Sequence, residues 1–240
     1  TNEAMTTIKK VDIKSAFSTE DQKEVNIPID EEKLSNALKD LESLTGLASV
    51  KREIHNLVKL ARYFVKQGEN INDKLGQHVL FLGNPGTGKT TVARIFSRIY
   101  SALGILSKGH LIETDRQGLV ASYVGQTAEK TTALIEKAMG GTLFIDEAYA
   151  LSQSKGSQND FGKEAIDLLL KRMEDDRGKF IVIAAGYTEE MNSFVESNPG
   201  LQSRFSKSIF FEDYSPDELM EITRQVLSPK EIEMSKDAEQ

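Results

Sequence analysis

Not one cysteine occurs in the 240 residues, so disulfide frameworks, thiol nucleophiles and thiolate zinc sites are excluded. Such a chain fits a reducing compartment, and the cytoplasm is the expected location. His55, His78 and His110 are the only histidines, too scattered for a metal centre, and read as packing or surface residues. No stretch is long and apolar enough to span a bilayer. Thr1 to Lys14 is polar and lacks the apolar centre of a secretory leader. Basic clusters are missing too: 30 Lys and Arg are dispersed among 37 Asp and Glu, giving a net charge of −7, which argues against nucleic acid as the partner. No internal repeat or heptad is visible. What remains, 39% hydrophobic and 28% charged, is the ordinary composition of a globular chain with one or two domains and a sizeable core.

Against that background one segment stands out. Gly83-Asn84-Pro85-Gly86-Thr87-Gly88-Lys89-Thr90 directly follows the apolar run His78-Val79-Leu80-Phe81-Leu82, and a helix is predicted from Lys89 to Leu103. Strand, glycine-rich loop and helix in that order make a phosphate-binding loop. The glycines let the backbone curl and aim successive N–H groups at phosphate oxygens. Lys89 is placed to reach the β- and γ-phosphates, and Thr90 to offer a hydroxyl to Mg²⁺, with Thr91 beside it in the same helix turn. A nucleotide, ATP or ADP, is the expected ligand.

A second element supports the first. Thr142-Leu143-Phe144-Ile145 is a short apolar run ending in Asp146-Glu147, the pattern of a buried parallel strand that delivers two carboxylates at its C-terminal edge. Asp146 suits Mg²⁺, and Glu147 suits polarisation of a water for in-line attack on the γ-phosphate.

Along the chain, residues 1–27 are polar and aperiodic and are expected to form a flexible arm. Asp30 is predicted to cap a helix to about Leu44, and a second helix runs from beyond Gly46 to about Lys66. Leu47 and Val50, at its start, are candidates for either core packing or contact with a base. Further strands are predicted at His110 to Thr114, Phe180 to Ala185 and Ser208 to Phe211, with helices Thr127 to Met139 and Phe161 to Asp175. Asp115 to Gln126 is read as a loop and Ser152 to Asp160 as a polar loop. Strand and helix alternate, so the expected fold is α/β: a parallel sheet sandwiched by helices. The nucleotide-binding core is placed at 28–213 and the start of a C-terminal helical lid at 214–240.

The ordered set of motifs resembles the AAA+ ATPases, and most closely the CbxX/CfxQ family, which includes red-type Rubisco activases and the stage V sporulation protein K group. The segments carrying the resemblance are Leu44 to Leu47, Gly83 to Thr90, Leu119 to Thr127, Gly140 to Tyr149, Met173 to Arg177, Ala185 to Tyr187 and Asn198 to Phe205. Together they span roughly residues 40 to 225.

The resemblance implies a P-loop fold, ATP and Mg²⁺ as ligands, and a ring, typically a hexamer, acting on a protein substrate that the sequence does not identify. It places Arg204 at the position of an arginine that completes the neighbouring subunit's site, with Arg172 and Arg177 as rivals for a nucleotide-sensing arginine. It places Tyr123 and Val124 in a pore loop that grips polypeptide. One departure concerns the end of the fourth strand, where many AAA+ proteins have an asparagine and this chain has Gly186-Tyr187-Thr188; Thr188 is the available substitute. Another is that no arginine-bearing helix follows the first lid-like helix. These departures favour one alternative to the remodelling ATPase, a nucleotide-dependent assembly switch with slow or no turnover. A DNA-directed AAA+ factor, which would share the same nucleotide site, is a second, with the acidic balance and Tyr123 against it.

Overall fold

Five runs rich in apolar residues form the strands β1 (Val79–Gly83), β2 (Leu111–Thr114), β3 (Thr142–Ile145), β4 (Ile181–Gly186) and β5 (Lys207–Phe211). The computed structural model describes residues 29–228 apart from 122, 124 and 154–160. The strands lie in the order β2-β3-β4-β1-β5, and every neighbouring pair is parallel. β3 and β4 are buried along their whole length, as a parallel sheet requires when helices cover both faces.

The period of two along each strand divides the core in two. Val79 and Phe81 face one cluster, with α1 (Glu31–Glu42), α2 (Ala48–Gln67) and α4 (Lys89–Ala102). Leu80 and Leu82 face the other, with α6 (Gln126–Ala138), α7 (Phe161–Asp175) and α8 (Thr188–Glu196). Phe81 anchors the first cluster, its ring 4.9 Å from that of Phe211 and 5.9 Å from that of Phe96. Truncating so buried a ring to alanine costs about 3–5 kcal/mol.

Helix boundaries follow their caps. Asp30 accepts the Lys33 N–H at 3.0 Å and opens α1. Ser215 and Glu218 form a reciprocal capping box at the start of α10 (Pro216–Leu227), with Pro216 in the first turn. α10 buries none of its residues, and Leu219 and Val226 stand half-exposed.

Ahead of β1, His78 is buried between the rings of Phe180 and Phe205, and its Nδ1 accepts the Val182 N–H at 2.9 Å. Burial, reinforced by the charge of Arg204, lowers its pKa to about 4.

Two parts of the sequence reading change. Asp115 to Gln126 is not wholly loop: Asp115 accepts the Gly118 N–H at 2.9 Å and caps the short helix α5 (Arg116–Leu119). Three further short or late helices, α3 (Ile71–Leu75), α8 and α9 (Pro199–Arg204), appear where none was expected. The predicted N-terminal arm, most of the polar loop Ser152 to Asp160, Val124 and the end of the lid segment lie outside the described residues.

Candidate active site

β1 ends at Gly83 and α4 begins at Lys89, so the glycine-rich loop bridges a central strand and a helix N-terminus. Gly86 and Gly88 hold φ of +77° and +88°, the left-handed conformations for which glycine is suited. A Cβ on Gly86 would meet nothing, so its requirement is conformational, whereas one on Gly88 would come within 3.0 Å of the Tyr214 hydroxyl. Gly83 differs again: a Cβ there would run into the carbonyl oxygen of Phe211 on β5. It is a packing glycine at the base of the loop as well as part of it.

α4 has Gly88 at its N-cap and no side-chain cap. Among the described residues its first N–H groups therefore have no side-chain cap, the arrangement that favours an anion. Lys89 is buried, and its Nζ donates to the carbonyls of Gly83 at 2.9 Å and Asn84 at 2.7 Å. Thr87 Oγ1 also donates to the Asn84 carbonyl, at 2.7 Å. Pro85 and Thr91 are exposed and Thr90 half-buried.

The two carboxylates arrive from β3, on the far side of β4 from β1. Asp146 continues the ladder through its N–H to the Thr114 carbonyl at 2.8 Å, and its Oδ1 accepts the Glu147 N–H at 3.1 Å. Glu147 holds φ of +50°, an uncommon state for a residue with a Cβ and the kind of strain that gathers at functional sites. Burial, then the neighbouring Asp146 charge, raises the Glu147 pKa, with Lys89 opposing. Burial lowers the Lys89 pKa while Asp146 and Glu147 oppose that. The mutual influence brings lysine and carboxylates into one electrostatic site, although more than fifty residues separate them in sequence.

Leu47 is the left-handed N-cap of α2, with φ of +58°; it is buried in the core and its side chain also approaches Gly88. Val50 is fully buried in the core. Thr188 is the first residue of α8, just beyond β4, and half-buried.

Sequence reasoning missed the residues that close the loop from the other side. Asn84 Nδ2 donates to both Asp213 carboxylate oxygens at 2.9 Å, and the Tyr214 hydroxyl donates to the Thr87 carbonyl at 3.3 Å. The Tyr214 ring also abuts Gly46, and the Glu218 carboxylate lies against that same glycine. No periodicity marks these residues; only their place between β5 and a capping box could have drawn attention to them.

Arg204, at the end of α9, is paired with Glu174 of α7 at 3.1 Å. Of its sequence rivals, Arg172 is committed elsewhere, bonded to Asp176 at 2.6 Å and Glu136 at 2.7 Å. Arg177 is exposed and makes no ion pair among the described residues. Tyr123 is 72% exposed and borders an open surface cavity of about 550 Å³ shared with Gln126, Glu129 and Lys130 of α6. Arg116, at the start of α5, donates to the carbonyls of Ala150 at 2.6 Å and Leu151 at 3.1 Å, just beyond Glu147.

The donor set fits Mg²⁺. The Thr90 hydroxyl and the Asp146 carboxylate are hard oxygen donors, the class that Mg²⁺ takes alongside substrate phosphates.

Residues 79–213 match the family model described as "ATPase family associated with various cellular activities (AAA)". Stage V sporulation protein K of Bacillus subtilis is 48% identical over 204 residues, which cover 84% of this chain and 62% of the relative. The chain thus spans less than two thirds of that protein's length. The chloroplastic ribulose bisphosphate carboxylase/oxygenase activase of Cyanidioschyzon merolae is 44% identical over 210 residues, covering 86% of this chain and 71% of the relative. Among solved structures, a single-residue variant of Thermotoga maritima RuvB superposes with a TM-score of 0.55 and 26% identity, covering 85% of this chain and 58% of that one.

Proposed function

Because the chain belongs to the AAA ATPase family, within its CbxX/CfxQ group, we propose that it hydrolyses Mg²⁺-bound ATP in a ring, most simply a hexamer, and couples hydrolysis to remodelling of a protein partner. Residues 28–213 serve as the nucleotide-binding core and 214–240 begin a helical lid. The observation that carries the reading is the convergence of Lys89 with Asp146 and Glu147 at the C-terminal edge of one parallel sheet, beside an uncapped helix N-terminus.

The residues divide the work. The loop from Gly83 to Gly88 and the first N–H groups of α4 cradle the phosphates, and Lys89 exchanges its two carbonyl acceptors for phosphate oxygens. Thr90 and Asp146 hold the metal, which when bound neutralises charge building on the phosphates. Glu147 takes the proton of the attacking water, with Thr188 orienting that water from the first residue of α8. Thr91 extends the phosphate site along α4, and Leu47 walls the base together with Tyr214. Arg204 of a neighbouring subunit meets the charge developing on the γ-phosphate; its planar, permanently ionised fork suits that task. Tyr123 and Val124 grip the substrate, since an aromatic ring offers a polypeptide contact that tolerates any sequence. The name of the chloroplastic relative, an activase of ribulose bisphosphate carboxylase/oxygenase, supports a protein as the substrate.

One observation favours a second reading. Gly186-Tyr187-Thr188 puts no amide side chain where β4 ends, and a site that orients water poorly turns over slowly and acts as an ATP-dependent assembly switch.

The deciding experiment is ATPase activity per chain against protein concentration, with Mg²⁺, for the wild type and Arg204→Ala. A rise with concentration, and a loss of about a thousandfold in the variant, is expected of a site completed between subunits. Flat or absent turnover with ATP still bound overturns the ring ATPase in favour of the switch.

A further inference from the structure

Arg204 is not free to reach outward. Its Nη1 donates to the Gly200 carbonyl at 3.4 Å and to Ser203 Oγ at 3.2 Å, both within its own helix α9. Ser203 spends its own proton on the same Gly200 carbonyl at 3.0 Å, which leaves its oxygen as an acceptor for the arginine. Nη2 is bonded to Glu174 Oε2, and Nε is buried with no partner among the described residues. A guanidinium grips phosphate through two N–H groups side by side, either the Nη pair or Nε with Nη2. Here each such pair includes a nitrogen that is bonded or buried. The charge is directed inward, and the buried His78 feels it.

Glu174 is the one charged group in that set of contacts. It projects from the last turn of α7, with its side chain 65% exposed, against 25% for Arg204. An ion pair so open to water contributes about 0.2–1 kcal/mol, enough to set the resting direction of a side chain and too little to withstand a phosphate.

We propose that Glu174 is a positioning residue that keeps Arg204 turned onto its own subunit until the phosphates of a neighbour's nucleotide draw it away. This rests on the reading of Arg204 as an arginine supplied to the adjacent subunit. The carboxylate stands in for the phosphate while no neighbour is loaded. Arg204 therefore changes partner when subunits meet, and part of the free energy of that encounter is spent in breaking the Glu174 pair.

The test compares wild type, Glu174→Gln, Arg204→Ala and the double variant of the whole chain. It reads ATPase activity per chain against protein concentration, KM for ATP, and association in a non-hydrolysable ATP analogue by sedimentation. Glu174→Gln keeps the shape and removes the charge. It is expected to lower the concentration needed for half-maximal activity and for association by about two- to fivefold, the range set by an exposed pair. KM for ATP stays the same, because each subunit binds nucleotide on its own loop. In the Arg204→Ala background the Glu174 change should do nothing, a result that a general effect on folding or surface charge would not give.

An unchanged or raised concentration for half-maximal activity and association in Glu174→Gln overturns the proposal, as does an equal gain in the Arg204→Ala background. If Arg204→Ala is as active as wild type, or if the wild type neither turns over nor associates, the trans-arginine reading itself falls and takes this inference with it.

Discussion

The Asn84 side-chain amide stands 2.9 Å from each carboxylate oxygen of Asp213, so the phosphate loop is tied to the chain just beyond β5. Tyr214 adds a second tie to the Thr87 carbonyl. Asp213→Ala is expected to loosen the loop and weaken ATP binding by about 1 kcal/mol, roughly five- to tenfold. Isothermal titration with ATP, with a melting curve to show an unchanged fold, checks this.

Gly83 and Gly86 should fail in different ways. Alanine at Gly86 meets only the cost of a left-handed backbone, about 1 kcal/mol, and its damage should appear in nucleotide binding. Alanine at Gly83 drives a methyl into the β5 backbone, so a loss of at least about 3 kcal/mol is expected in urea denaturation even without nucleotide.

His78 makes stability depend on pH. Its folded pKa, about 4, lies below the ordinary 6.5, so the neutral ring is the native form. The stability it contributes is complete above pH 6.5 and is lost as pH falls towards 4, by on the order of 3 kcal/mol. His78→Asn, whose Oδ1 can accept the Val182 N–H without titrating, should flatten this limb of a urea-stability profile measured between pH 7 and 4.5.

Glu147→Gln is expected to separate stability from activity. Because the Glu147 pKa is raised, its protonated form suits the folded state. The associated stability is present below the ordinary carboxylate range and lost as pH rises through the raised value. At neutral pH the charge is therefore a burden, and the glutamine variant should melt at a higher temperature. It should also keep ATP and lose about 10²–10⁴ in hydrolysis.

Local chemistry explains what was readable beforehand. β1 and β3 are apolar runs cut off by Gly83 and Asp146, so each strand and its end at the sheet edge were visible together, and Asp30 announced α1 at its first residue. Short helices were not: five residues of α3 and four of α5 hold too few turns for a periodic stripe, although Asn70 and Asp115 cap them. Long-range ties left no trace at all. Asn84 and Asp213 are 129 positions apart, and Arg204 reaches Glu174 across 30, so neither bond has a local signature. Arg172 looked as available as Arg177 until Asp176 and Glu136 were found on either side of it.

The central position of β1 has a consequence for biosynthesis. Val79 pairs with Ile183 on one side and Lys207 on the other, so the strand carrying the phosphate loop has no sheet neighbour until 104 further residues have been translated. At about 5–20 residues per second, that interval is roughly 5–20 s on the ribosome. Throughout it, Val79-Leu80-Phe81-Leu82 is an unpaired apolar segment of the nascent chain. The strand that carries the phosphate loop is thus made early and secured late, and its apolar side chains need shielding throughout that interval.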